Sequence, residues 1–273
     1  NDPQSYTFVV PEGVIVEGGY MVTDKFGSRN PFSHKTILSP VANVQGQEIN
    51  GYHAVTFGDP ANKESYKQAI IDGVTLTGGK ATSLVGKGNA KTQGGGAIVP
   101  AWGHIRNCRV SENEAIQGGG LYLLPGATVS GTDINNNTAE EGAGIYADNE
   151  NASKALRAHV VSSTITDNTA TENAGGILFE DGAALFLNMV VWGNTATSDN
   201  NVSGPVYSTF DDAEMETASA VNGNNFKDFF PFNYSFVERF ELPSNMVNTA
   251  MTSDENLYFA STDRRLRAFS PLV

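Results

Sequence analysis

Val110-Ser111-Glu112-Asn113-Glu114-Ala115, followed by Gly118-Gly119-Gly120-Leu121-Tyr122, returns almost unchanged as Ile134-Asn135-Asn136-Asn137-Thr138-Ala139 before Gly142-Ala143-Gly144-Ile145-Tyr146. A third copy reads Ile165-Thr166-Asp167-Asn168-Thr169-Ala170 before Gly175-Gly176-Ile177-Leu178. A fourth, Val191-Trp192-Gly193-Asn194-Thr195-Ala196, loses the glycine run. An earlier copy, Leu76-Thr77-Gly78-Gly79-Lys80-Ala81, has Gly in place of Asn, and its glycines, Gly94-Gly95-Gly96, follow a Gly/Lys-rich insertion over 82–93. Asn113 and Asn137 are 24 residues apart, as are Gly120 and Gly144, whereas Asn137 and Asn168 are 31 apart because a polar loop around Asp148 to Lys154 intervenes. Constant rungs with variable loops mark a solenoid.

The rung is β rather than α. Short alternating stretches such as Ile105-Arg106-Asn107-Cys108-Arg109-Val110 are broken every few residues by Gly or Asn, and no segment sustains an i, i+3, i+4, i+7 apolar pattern. The expected fold is therefore all-β: a right-handed parallel β-helix, a three-sheet solenoid of the pectate-lyase-like kind, with coils about 4.8 Å apart. Its inward columns are Ile105, Val129, Val160 and Phe186; then Val74, Cys108, Thr132, Ser163 and Met189; then Leu76, Val110, Ile134, Ile165 and Val191. Ala81, Ala115, Ala139, Ala170 and Ala196 fill a tight corner. Asn113, Asn137, Asn168 and Asn194 form a structural ladder, since Asn tolerates left-handed angles at a turn and its amide bonds the backbone of the neighbouring coil. The glycine runs supply positive φ and close approach at a corner. They are not a phosphate loop, for no Gly-x-x-x-x-Gly-Lys-Ser/Thr occurs.

One domain over 1–273 is expected: 1–70 as N-terminal coils with long loops, 71–204 as regular coils, and 205–273 as C-terminal coils with a Phe-rich cap. In that cap Phe226, Phe229, Phe230, Phe232 and Phe236 cover the last coil and keep the rod monomeric. Tyr6 to Val16 should form a first coil that leaves its end more open. The chain starts at Asn1 with neither Met nor a signal peptide, which reads as a processed or excised piece.

Seventeen Lys+Arg against thirty Asp+Glu give −13, which disfavours nucleic acid and anionic membranes as partners. No apolar run is long enough to span a bilayer. One cysteine, Cys108, excludes an internal disulfide and reads as a small buried hydrophobe.

Gly95-Gly96-Ala97-Ile98 with Val110-Ser111-Glu112-Asn113 resembles the paired Gly-Gly-Ala-Ile and Phe-x-x-Asn repeats of chlamydial polymorphic outer-membrane proteins. More of the chain is similar to bacterial surface proteins, common in gut Bacteroidetes, built on pectate-lyase-like β-helices. There, Gly13-Val14-Ile15-Val16-Glu17-Gly18-Gly19-Tyr20 matches the opening segment and Asp72-Gly73-Val74-Thr75-Leu76-Thr77-Gly78-Gly79 the start of the regular coils. The closing Leu266-Arg267-Ala268-Phe269-Ser270-Pro271-Leu272-Val273 matches that family's terminal stretch. The resemblance implies an extracellular or outer-surface location and carries over no catalytic residue.

The function read first is a non-enzymatic, adhesin-like surface module that binds glycan or a host or bacterial surface component. Its candidate binding column is Ile98, Tyr122, Tyr146 and Leu178, pointing outward if Leu121 and Leu123 point inward. The alternative is a polysaccharide lyase or glycoside hydrolase on acidic or plant or host glycans, which needs a carboxylate cluster with a Ca²⁺ and a basic side chain, or two carboxyls about 5 to 9.5 Å apart. The outward column Thr75, Arg109, Asp133, Thr164 and Val190 offers one Arg–Asp pair, read as a cross-coil salt bridge. Glu180 and Asp181 diverge if they share a strand, and His34, His53, His104 and His159 lack metal spacing. No catalytic residue, metal ligand or cofactor is assigned.

Overall fold

The computed structural model describes residues 2–21, 29–58, 67–148, 157–180, 184–187, 189–204, 206–208, 246–253, 256–261 and 266–269. The chain divides into two compact units, Asn1–Phe229 and Phe230–Val273.

The first unit is a parallel β-helix. In one coil the chain passes through Leu121–Leu123, Thr128–Ser130, Asp133–Asn135 and Thr138–Glu141, and each strand pairs in parallel with its counterparts one coil before and after. Sheet 1 stacks seven strands from Phe8–Val10 to Val202–Ser203, sheet 2 seven from Ile15–Glu17 to Val206–Ser208, and sheet 3 six from Ile37–Leu38 to Val190–Trp192. Three strands per coil were expected. A fourth, short ladder, sheet 4, runs from Lys80–Ala81 to Thr169–Asn173, because the chain stays extended for a few residues beyond the Asn corner.

The register reproduces the expected columns: Ile105 pairs with Val129, Val129 with Val160 and Val160 with Phe186, and Leu76, Val110, Ile134, Ile165 and Val191 follow one another in sheet 3. These side chains, with Leu121, Leu123, Ile145 and Ile177 of sheet 1, are fully buried wherever their burial is described, and form one continuous core. Side chains of Ala184–Leu187 lie outside the described set. Cys108 is buried in that core, its Sγ donating to the carbonyls of Ile71 and Arg106, and burial pushes its thiol up to about 12. The Ala column packs separately: Ala139, Ala143 and Ala170 touch one another beneath Ala196.

Many corners turn through a left-handed residue. At the corner between sheets 3 and 4, Gly78, Glu112, Asn136, Asp167 and Gly193 have φ of 79°, 59°, 54°, 56° and 65°. The left-handed residue is thus the one before each ladder Asn, not the Asn itself, which corrects half of the reason given for that column. The Asn is freed to point its amide inward. Among the described residues, no helix is long and apolar enough to cross a membrane.

In the second unit Met246–Ser253, Asn256–Ser261 and Leu266–Phe269 pair antiparallel as a three-stranded sheet. Of the stretch 205–273 read as C-terminal coils with a cap, Val206–Ser208 joins sheet 2 in parallel, and the three later strands pair antiparallel among themselves. Phe226, Phe229, Phe230, Phe232 and Phe236, and with them the proposed cap, lie outside the described residues.

Candidate functional site

The Asn column forms a continuous internal ladder. Asn113 donates from its backbone N–H and its Nδ2 to Asn137 Oδ1 at 3.1 and 3.0 Å. Asn137 repeats this to Asn168 Oδ1, both at 2.9 Å, and Asn168 to Asn194 Oδ1 at 3.0 and 2.9 Å. Each Nδ2 also reaches a backbone carbonyl of the preceding coil: Leu76 for Asn113, Val110 for Asn137, Ile134 for Asn168 and Ile165 for Asn194. Asn201, only seven residues after Asn194, accepts both of its bonds and closes the run, a member the sequence spacing did not reveal. At the other end, Gly79 N–H donates to Asn113 Oδ1. A Cβ on Gly79 would lie 1.7 Å from the Gly95 carbonyl oxygen, so Asn is excluded there by sheer proximity. All of these amides are buried and paired, which makes them structural.

The Tyr column stands where it was expected, with Ile98, Tyr122, Tyr146 and Leu178 in successive strands of sheet 1 facing away from the core. Its surroundings differ from a sugar platform. The Tyr122 and Tyr146 rings stack on each other, 5.1 Å apart and tilted by 6°, and the residues are only 4% and 3% exposed. Sugar stacking needs an open ring face, and here the facing sides are occupied by the neighbour. The hydroxyls are occupied as well: Tyr122 donates to Asp148 Oδ2 at 2.9 Å and Tyr146 to Glu180 Oε2. Burial first, then these carboxylates, push both phenols far above their usual range.

On the outer face of sheet 3, two columns run side by side. One holds Thr75, Arg109, Asp133, Thr164 and Val190; the other Thr77, Ser111, Asn135, Thr166 and Trp192. Eight of these ten side chains are polar, and Trp192, half-buried, ends the second column. Arg109 Nη2 meets Asp133 Oδ2 at 3.3 Å, the cross-coil salt bridge expected from the sequence. Arg109 Nε and Asn135 Nδ2 have no hydrogen-bond partner within the protein. Both of those atoms are buried, as are the residues Ser111 and Asn135, so the accessible part of this face consists of Thr75, Thr77, Arg109, Asp133, Thr164 and Thr166 with Trp192.

Two charged clusters escaped sequence reading. Asp72, buried, accepts from Arg29 Nη2 and Arg106 Nε, each at 2.6 Å, and from Asn107 Nδ2 at 3.1 Å. Burial works to raise this carboxyl, but the bonds from Arg29, Asn107 and Arg106 outweigh it and hold the group below the usual carboxylate range. Lys87, carried by the Gly/Lys-rich insertion, reaches across later coils to Glu172 at 2.8 Å and to Glu140 and Glu141 at 3.3 Å each. The first cluster sums to +1, with Glu17 4.0 Å from Arg29 beside it, and the second to −2. His53 is lowered by burial and its Nδ1 lies 2.8 Å from the Gly94 carbonyl oxygen, while His104 Nε2 lies 2.8 Å from Ser130 Oγ. Among the described residues, no three His, Cys, Asp or Glu side chains converge where a metal ion would sit.

Comparison with known protein families, with curated proteins and with solved structures returns no match to this chain.

Proposed function

We propose that the chain is a non-enzymatic β-helical binding module, displayed outside the cell in the manner of an adhesin, that holds a glycan along the outer face of sheet 3. One observation carries this reading: six partly exposed polar side chains, Thr75, Thr77, Arg109, Asp133, Thr164 and Thr166, in two in-register columns closed by Trp192. Thr and Arg side chains at coil spacing offer donors and acceptors to sugar hydroxyls, and an indole offers a face to a sugar ring. The face holds one carboxylate, Asp133, already paired with Arg109, whereas glycoside hydrolysis draws on two. A net charge of −13 favours neutral glycans over uronate polymers.

The test is a glycan array probed with the whole chain and with Trp192→Ala, alongside a reducing-end assay on plant and host polysaccharides. Binding that falls at least tenfold in the variant at an unchanged melting temperature, without depolymerisation, supports the reading. Depolymerisation abolished by Asp133→Asn would replace it with the enzymatic alternative.

A further inference from the structure

The outer face of sheet 3 has a direction as well as a composition. Across the rod it is narrow: a strand such as Thr164–Thr166 turns two side chains outward before the chain bends at Asp167. Along the rod it is long, for the columns from Thr75 to Val190 and from Thr77 to Trp192 run through five coils in unbroken register. At about 4.8 Å per coil they extend about 19 Å, and they stand about 7 Å apart because residues two apart on a strand share a face. Thr75 with Thr77 marks one end, and Thr164 with Thr166, next to Trp192, the other. Between them the Arg109–Asp133 pair lies along the axis, joining two coils at 3.3 Å. That pair holds the only charges of the two columns, so the strip sums to zero, while Glu112 and Asp167, exposed at the adjoining corner, place negative charge beside it.

Resting on the reading of this face as a glycan site, we infer that its ligand is a linear, uncharged, β-1,4-linked glycan laid along the rod axis with one sugar to a coil. Equatorially linked pyranoses form a straight chain whose rings advance by about one coil rise, about 4.8 Å. Each ring therefore meets the side chains of one coil, and the register of the sheet becomes the register of the ligand. A chain laid across the strands would meet only two outward side chains before the corner. An α-1,4-linked glucan coils, and so leaves a straight strip after a few sugars. The four Thr hydroxyls both donate and accept at the ring edges, the Arg109–Asp133 pair gives a donor and an acceptor to adjacent sugars, and the Trp192 indole stacks on the ring at its end. Charge selects within this class. The strip's one cation is already taken by Asp133, and the chain around it carries −13, so a uronate or sulfated polymer finds repulsion and no counter-charge.

Calorimetric titration of the whole chain with β-1,4-linked gluco- and manno-oligosaccharides, from disaccharide to heptasaccharide, and with α-1,4-linked gluco-oligosaccharides of the same lengths, tests the inference. Affinity for a β-linked series should rise with each added sugar and level off at about five, one for each coil of the columns. The α-linked pentasaccharide should bind at least about tenfold more weakly. Thr75→Val/Thr77→Val, at the end of the strip far from Trp192, should weaken the pentasaccharide by about tenfold and leave the disaccharide unchanged at an unchanged melting temperature, whereas Trp192→Ala should weaken both. An affinity that stops rising at the disaccharide, an α-linked series that binds as well, or equal losses for short and long ligands in the double Val variant would overturn the inference and leave a glycan site on sheet 3 standing. A chain that binds no glycan of any kind would remove that underlying reading together with the inference.

Discussion

From Ser111 to Asn201, neighbouring coils are joined at one corner by neutral amides sealed inside the rod, whereas from Asp2 to Arg106 they are joined by charged groups nearer its rim. The ladder takes its acceptors from side chains that neither titrate nor respond to salt. The first coils have Gly79 where that ladder would continue, and are tied instead through Arg29, Asp72 and Arg106, which belong to three successive coils of sheet 2 and its flanking loop, and through Lys91 with Asp2. The same backbone plan thus has two kinds of fastening. Buried, fully paired amides hold register independently of pH, while ion pairs hold it only while their carboxylates are charged.

The largest effect should come from the junction of the two regions. Gly79→Ala places a methyl group against the backbone at Gly95 and Ala54, neither of which is a flexible side chain, and should cost more than about 3 kcal/mol. A thermal melt that tolerates Ala there would show that Gly79 merely lacks an Asn and does not forbid one. Next, Asn137→Ala removes the acceptor of two Asn113 donors and should cost about 1 to 3 kcal/mol through buried groups left unpaired. An unchanged melting temperature would mean the ladder holds nothing.

The difference in fastening is sharpened by acid. Because the Asp72 carboxyl is held below its ordinary value, its contribution is complete above about pH 4 and is lost as pH falls through the folded-state value. Hydrogen exchange should therefore loosen 15–17 and 69–72 before 110–113 on acidification, and Asp72→Asn should remove that order. Simultaneous loosening of both regions would erase the distinction. The smallest effect has the opposite sign: Glu112, exposed and held at φ 59°, pays a left-handed penalty that glycine avoids, so Glu112→Gly should stabilise the rod by about 0.5 kcal/mol in chemical denaturation.

What could be read from residues alone follows from what repeats. Asn113, Asn137 and Asn168 share one phase with their apolar and Ala neighbours, so the columns were visible despite unequal loops. Asn201 was not, because it stands in the column of Gly144 and Gly176, just before the sheet 1 strand, and not in the Asn column. The Tyr column was visible as a column, but its exposure depends on what packs beside sheet 1, and no period encodes that. Asp72 lies 43 residues from Arg29 and 34 from Arg106, and Arg29 belongs to a loop with no repeat, so only the folded chain brings them together. The insertion around Lys87 read as an interruption, since its length conceals that its lysine reaches coils two and three turns ahead. The outer face of sheet 3 was half legible: the Arg109–Asp133 column was noticed, and the one ending in Trp192 was not.

The Asn ladder also gives the rod a polarity that its sheets lack. In each rung from Asn137 to Asn194 the amide oxygen accepts from the preceding Asn, while the nitrogen donates forward to the next Asn and back to a carbonyl of the preceding coil, so successive amides form one continuous chain of bonds and polarise one another. Each rung draws one acceptor from the next Asn and one from the coil before it. Each of these Asn residues therefore has its full set of partners only when the coils on both sides are in place, which couples neighbouring coils in both directions.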